Sequence, residues 1–291
     1  MDLNEINPDL IARYKYILKK RMSDRQKKKF IVSLIKDLSI KRDDIHVIET
    51  TYHNSKNAFS RNIYVGDVES AEWIIATYYD TYAAHLGSFT FNNISQQKKN
   101  TLLFNLISSL LLMVIGIIFT MYITVPFIDK AIENSNWLLI GFIVVFYIII
   151  SWAIGEVAKG IASRHTWIRN SATVVFLINE ILNQSENKRI AYAYVDNGTT
   201  NEQGLESLLN SVNKNSKILY LDSIGAKANL TVSKDNNISP LKKSTVFSAG
   251  INKIYPGQYG KLSIKDLHSK EIYSKNFVVV QEILDKVNIE G

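Results

Sequence analysis

The chain has 291 residues, no cysteine, 46% apolar residues and a formal charge of +7. That length holds one large domain or two small ones, and the lack of cysteine excludes disulfides and thiolate metal sites. A positive charge suggests nucleic acid or an anionic membrane surface; here the basic residues are dispersed and carry no nucleic-acid fingerprint, so nucleic acid is not expected as a partner.

In chain order, Ser23 followed by DRQKKKFIVSLIKDLSI predicts a capped amphipathic helix. Phe30, Ile31, Leu34, Ile35 and Leu38 form its apolar stripe and Arg25 to Lys29 its wet face. DDIHVIETTY, SRNIYVGD and WIIATYYD then predict three strands, the last the most buried. Leu102 to Val125 and Trp137 to Ile154 are two uncharged apolar runs. A hydrocarbon core takes roughly 20 helical residues, so the pair predicts a transmembrane hairpin over residues 101–155. Trp137 and Trp152 lie where indoles favour the interface. The turn between the runs, PFIDKAIENSN, has one lysine against Asp129 and Glu133, whereas Lys98, Lys99, Lys159, Arg164 and Arg169 flank the pair. The positive-inside rule places both flanks, and both termini, in the cytoplasm. The first residues, MDLNEINPDL, have no apolar signal region. The expected location is a bacterial plasma membrane, with the lipid bilayer as the first partner.

After the hairpin, Ser171 to Leu182 and Gly204 to Val212 predict helices, and RIAYAYVD, KILYLDSIG and KANLTV predict strands. NFVVVQEILDKV predicts a strand passing into a helix. The alternation predicts an α/β fold with a mixed sheet and helices on both faces. Neither flank is complete alone. Residues 1–100 and 156–291 are therefore expected to build one cytoplasmic domain around the hairpin.

The order of motifs resembles the M28 family of zinc aminopeptidases, and more narrowly bacterial members with transmembrane helices inserted after the first metal motif. SRNIYVGDVESAEWIIATYYDT resembles the segment ending in a strand with His-x-Asp-Thr. IRNSATVVFLINEIL resembles the Asp-Asn-x-Ser-Gly segment, RIAYAYVDNGTTNEQGLESL the Glu-Glu segment, and KILYLDSIG the later strand ending Leu-Asp-x-x-Gly. The resemblance covers much of residues 58–230 and implies a zinc-peptidase-like fold with a site for two zinc ions.

Such a site needs imidazole and carboxylate ligands, a bridging carboxylate and a separate general base. At the matching positions Tyr78 replaces the first histidine and Arg169, a permanent cation, replaces the bridging aspartate. Asn201 replaces the base if NEQGL matches the Glu-Glu motif; without that gap, Gly198 and Thr199 replace both glutamates. Asp80 keeps the family's supporting aspartate, Asp222 matches a ligand, and Glu202 matches another under the gapped alignment. His268 is the candidate by order for the last histidine, while His85 and His165 could join Asp222 in a single zinc site. Arg169 is a flank residue near the membrane, an ordinary surface arginine, or a counter-charge in the former metal cavity to Asp80, Asp222 or Glu202.

What the resemblance implies is a catalytically inactive pseudo-peptidase without cofactor. It would serve as an accessory, assembly or peptide-binding subunit beside other membrane proteins. The alternative is an active membrane metalloaminopeptidase holding zinc through Glu202 and Asp222. With the resemblance set aside, the chain reads as a small membrane subunit of an ABC-type exporter or an immunity complex.

Overall fold

A computed structural model describes residues 6–51, 59–91, 93–235, 237–257 and 261–289. Contacts divide the chain into two units. The first comprises residues 1–82, 87–94 and 163–291, and the second residues 83–86 and 95–162.

The first unit opens with helix α1 (Pro8–Ala12), which widens into a π turn over Arg13–Ile17. Ser23 then starts α2 (Asp24–Leu38): Gln26 Oε1 accepts the Ser23 N–H at 3.2 Å, so an amide at the helix start is satisfied by a side chain. Phe30, Ile31, Leu34 and Leu38 are buried at helical spacing, as the apolar stripe requires. Strands β1 (Ile45–Thr51), β2 (Phe59–Val65) and β3 (Trp73–Tyr78) follow, then a two-residue strand β4 (Phe89–Thr90). All six residues of β3 are buried. That fits an interior strand covered on both faces.

The chain returns to this unit through a π turn at Trp167–Ser171 and helix α6 (Ala172–Asn183), counting the three intervening helices described below as α3 to α5. It continues through β5 (Ile190–Val195), α7 (Gln203–Ser211), β6 (Lys217–Leu221), β7 (Leu230–Lys234), β8 (Asn237–Pro240), β9 (Gly250–Pro256) and β10 (Lys261–Leu262). Helices α8 (Ile264–Leu267) and α9 (Ser274–Ile289) complete it. Eight strands form one mixed sheet in the order β1-β2-β5-β3-β6-β9-β7-β8. β5, β3, β6 and β9 run parallel, and antiparallel pairs lie outside them.

Two cores sit on the two faces. Ile63, Ile75, Tyr192 and Leu219 pack with Phe30 of α2, Phe176 of α6 and Phe277 of α9. Ile74, Ala76, Ala193 and Ile218 pack with Leu205 and Leu208 of α7. Alternate side chains of each strand feed opposite cores, as the period of two demands. The mixed α/β sheet with helices on both faces is therefore the observed architecture.

Two local expectations are corrected. NFVVVQEILDKV contains no strand: Ser274–Ile289 is one helix. Phe277, Val280, Ile283, Leu284 and Val287 are buried at helical spacing, and that burial outweighs the β preference of three consecutive valines. Strand β9, in contrast, lies outside the expected strands, because Asn252 and Lys253 interrupt its apolar pattern. Asn252 is accommodated by its amide, which donates to Ser248 O at 3.0 Å and Gly250 O at 3.1 Å.

The second unit is a helical pair. A continuous helical stretch Ile94–Glu133 comprises α3 (Ile94–Phe119), a π turn (Thr120–Thr124) and α4 (Val125–Glu133); α5 spans Trp137–Lys159. Both are long and apolar enough to cross a membrane, and little of either apolar window is buried. The expected turn PFIDKAIENSN is mostly helical, and the break is confined to Asn134–Asn136, with Ser135 at φ 49°. Pro126 would clash with a carbonyl one turn earlier in an unbroken α-helix, and the π turn just before it widens the backbone there. Tyr147 joins the two helices through Thr120 Oγ1 (2.6 Å) and Thr124 Oγ1 (3.0 Å), beside stacked Phe119 and Phe146. Interhelical hydroxyl bonds of this kind hold apolar helices together without requiring a water-driven core.

Candidate functional site at the carboxyl ends of the parallel strands

In open sheets of this kind, ligands bind beyond the carboxyl ends of the parallel strands, where successive connections leave on opposite faces. β3 is such a place: β5 lies on one side and β6 on the other. The two tyrosines ending β3 part company there. Tyr79 joins the α2 and α6 core, stacked on Phe30 at 5.0 Å with its hydroxyl donating to Arg61 O at 3.0 Å. Tyr78 belongs to the α7 side.

Tyr78 closes a compact arrangement of four groups. Its hydroxyl lies 2.7 Å from Asp222 Oδ1 and 3.1 Å from Arg169 O. Ser223 Oγ lies 2.7 Å and 2.8 Å from the same two oxygens. Two hydroxyl hydrogens thus face two acceptors, so each acceptor can receive one. Ser223 sits at φ 54°, a left-handed conformation that the surrounding contacts hold in place. Burial raises the Asp222 carboxyl, while Arg169's charge and the two hydroxyls oppose that rise. Burial and the Asp222 charge push the Tyr78 phenol well up.

Arg169 lies in the Trp167–Ser171 π turn and is 2% exposed. Its guanidinium is held between the Tyr82 ring (3.8 Å) and the Phe89 ring (3.6 Å), a stacking that suits this flat, weakly hydrated cation. It does not face solvent. Its charge lowers the carboxyl of Asp222, one of the three acids considered for it.

Asp80 is held differently. Gly198 N donates to Oδ1 at 2.8 Å and Thr199 N to Oδ2 at 3.2 Å, and the Thr199 hydroxyl also donates to Oδ2. Burial still raises this carboxyl, with Lys27 lowering it. Gly198 is required by a close approach: a Cβ there would overlap Tyr78 Cβ and lie 2.7 Å from its Cγ. Behind Asp80, Arg21 is completely buried. It donates to Tyr79 O (2.5 Å), Leu18 O (2.6 Å), Ser171 Oγ (2.9 Å) and Asn170 Oδ1. Asn170 Nδ2 in turn donates to Tyr78 O at 2.6 Å. Loss of water lowers the Arg21 guanidinium to about 10, and Asp80 pulls it back up.

Glu202 stands apart from Asp222. It takes a left-handed conformation (φ 57°) just before α7 and pairs with Lys253 of β9 at 2.9 Å, both partners partly exposed. The pair lines an open pocket of about 390 Å³ with Ile94, Ser233, Lys234, Asp235 and Ile251. Asn201 is exposed, and its side chain accepts the Gln203 N–H at 3.2 Å. His268 is stacked on His165 at 3.7 Å, and His85 belongs to the helical-pair unit.

A pair of zinc ions does not fit these residues. Asp222 already accepts from two hydroxyls, Glu202 is paired with a lysine, and Asp80 is saturated by loop donors. Among the described residues no group of three or more histidines and carboxylates could hold a metal ion. Arg21, Asn170, Ser223 and Lys253 complete the arrangement; Asn170 and Ser223 lie inside quoted motifs, whereas Arg21 and Lys253 carry no mark in the sequence. Arg21 in particular stands in the run KKRMSDRQKKK, which has the composition of a wet surface.

No family model and no curated protein matches the sequence. Among solved structures, the chain is similar to an Acidobacteriales bacterium glutaminyl cyclase, with a TM-score of 0.47 and 12% identity over 97% of this chain and 94% of that one.

Proposed function

We infer that this chain is a catalytically inactive, membrane-anchored protein with an M28 peptidase-like domain. It serves as an accessory or assembly subunit of a membrane complex in a bacterial plasma membrane, and the open pocket beside Glu202 and Lys253 takes a peptide or a partner segment. The M28 reading rests on the order of the four sequence motifs. The anchor rests on two helices with apolar, largely exposed surfaces, which would be costly in water. The observation that carries the loss of catalysis is the Tyr78–Asp222–Ser223–Arg169 arrangement. There Asp222 Oδ1 accepts from two hydroxyls of the chain, and the Arg169 guanidinium acts on the same carboxyl.

The test is elemental analysis of detergent-purified protein after zinc loading and washing, together with release of amino-terminal residues from peptides. Near-zero zinc and no metal-dependent release are expected. One or two tightly held zinc ions per chain, or metal-dependent hydrolysis lost on Asp222→Asn, would establish an active metalloaminopeptidase instead.

A further inference from the structure

The first unit carries a patch of cations that its own carboxylates do not neutralise. Lys15, Lys19 and Lys20 follow α1, Arg164 and His165 precede the Trp167–Ser171 turn, and His268 and Lys270 follow α8. Contacts bring the three segments together. Thr166 Oγ1 donates to Lys19 O at 2.9 Å, Lys15 Nζ donates to Lys270 O at 3.4 Å and sits 4.8 Å above the Trp167 ring, and the two histidine rings stack at 3.7 Å. Among the described residues, none of Lys15, Lys19, Lys20, Arg164 and Lys270 forms an ion pair, whereas Lys27, Arg61, Lys217 and Lys253 all do. The acids nearest in sequence are Asp9, Asp24, Asp266 and Glu271; Asp24 pairs with Lys28 and Arg61, and Asp266 accepts from the Ser263 hydroxyl. Beside the lysines, Tyr16 and Ile17 are 64% and 77% exposed.

We propose that this patch docks on an anionic lipid leaflet, with Tyr16 and Ile17 entering the headgroup region and the five cations meeting lipid phosphates. Exposed apolar and aromatic residues set among unpaired lysines are the composition of an interfacial lipid contact, where area and charge attraction add. Chain continuity favours a lipid surface over an acidic protein. Arg164 follows Lys159, the end of α5, by five residues, which limits it to about 18 Å of extended chain from that helix end. The proposal rests on the reading of the helical pair as a membrane anchor.

The full chain, free of native cysteine, is placed in lipid nanodiscs carrying brominated acyl chains, with a bimane label on Ile17→Cys, Ile115→Cys or Ile238→Cys. Discs are made of phosphatidylcholine alone or mixed with phosphatidylglycerol. The label at 17 is expected to be quenched strongly in anionic discs and weakly in neutral ones. Quenching should fall with added salt and with Lys→Gln changes at 15, 19, 20 and 270, by up to about five-fold in lipid partition per charge removed. The label at 238, on exposed β8, stays unquenched. Equal quenching at 17 in both lipids, or none while the label at 115 is quenched, overturns the proposal and leaves the anchor standing. An unquenched label at 115 overturns the anchor, and the proposal with it.

Discussion

Tyr78 with Asp222, and Glu202 with Lys253, lie along the same edge of one sheet, yet they are built on opposite principles. In the first pair Tyr78 is buried and Asp222 half-buried, with one carboxylate oxygen held by two hydroxyls in the field of a stacked guanidinium. The second is a plain ion pair on the wall of an open pocket. A buried carboxylate without donors is costly, so losing any part of the first arrangement exposes the rest to that cost. Water can replace either member of the second. Structural necessity therefore belongs to the sealed pair and freedom to bind belongs to the open one.

The largest test of that contrast is Gly198→Ala. The added methyl meets Tyr78 Cβ, an atom fixed to the backbone of a central strand. The substitution is expected to cost about 3 kcal/mol and to lower the thermal midpoint in detergent by several degrees. Tyr78→Phe removes one of two hydroxyls serving two acceptors. About 2 kcal/mol is expected; a loss no larger than that of the Glu202 variant below would show that the arrangement is not sealed.

Asp222→Asn tests the same site through pH. Burial raises the folded carboxyl above its unfolded value, so the native state binds the proton more tightly than the unfolded chain. Stability then falls as pH climbs from the ordinary carboxylate range, about 4, through the raised folded value. An amide at this position does not titrate and abolishes that slope. Urea or thermal unfolding at a series of pH values should show wild type losing ground to the variant as pH rises. A parallel pair of curves would mean that Asp222 is solvated. The smallest effect belongs to Glu202→Gln. Because both partners are partly exposed, it should cost under about 1 kcal/mol, while changing any peptide binding measured at the pocket.

Much of the fold was legible along the chain because its signals are local. The stripe of α2, the wholly buried runs of β3 and β5 and the long apolar helices announce themselves by period and length. Where burial selected against local preference, sequence reading failed: three valines joined α9, and β9 hides behind Asn252 and Lys253. Among the site residues, Tyr78, Asp80, Arg169, Glu202 and Asp222 were identifiable by motif order. Arg21 was not, because its contact with Asn170 spans 149 positions and nothing around Arg21 marks it.

By itself the sequence determined which segments are apolar and with what period, and its motif order resembles a pattern in which Tyr78 and Arg169 take the places of a histidine and an aspartate. Only the tertiary structure decided what those residues do. Whether a carboxylate binds a metal, a hydroxyl or a lysine depends on which groups reach it within hydrogen-bond distance and on how much water is excluded. Both follow from packing between segments far apart in the chain. That is why Asp222 accepts from Tyr78 while Glu202 pairs with Lys253 at an open pocket.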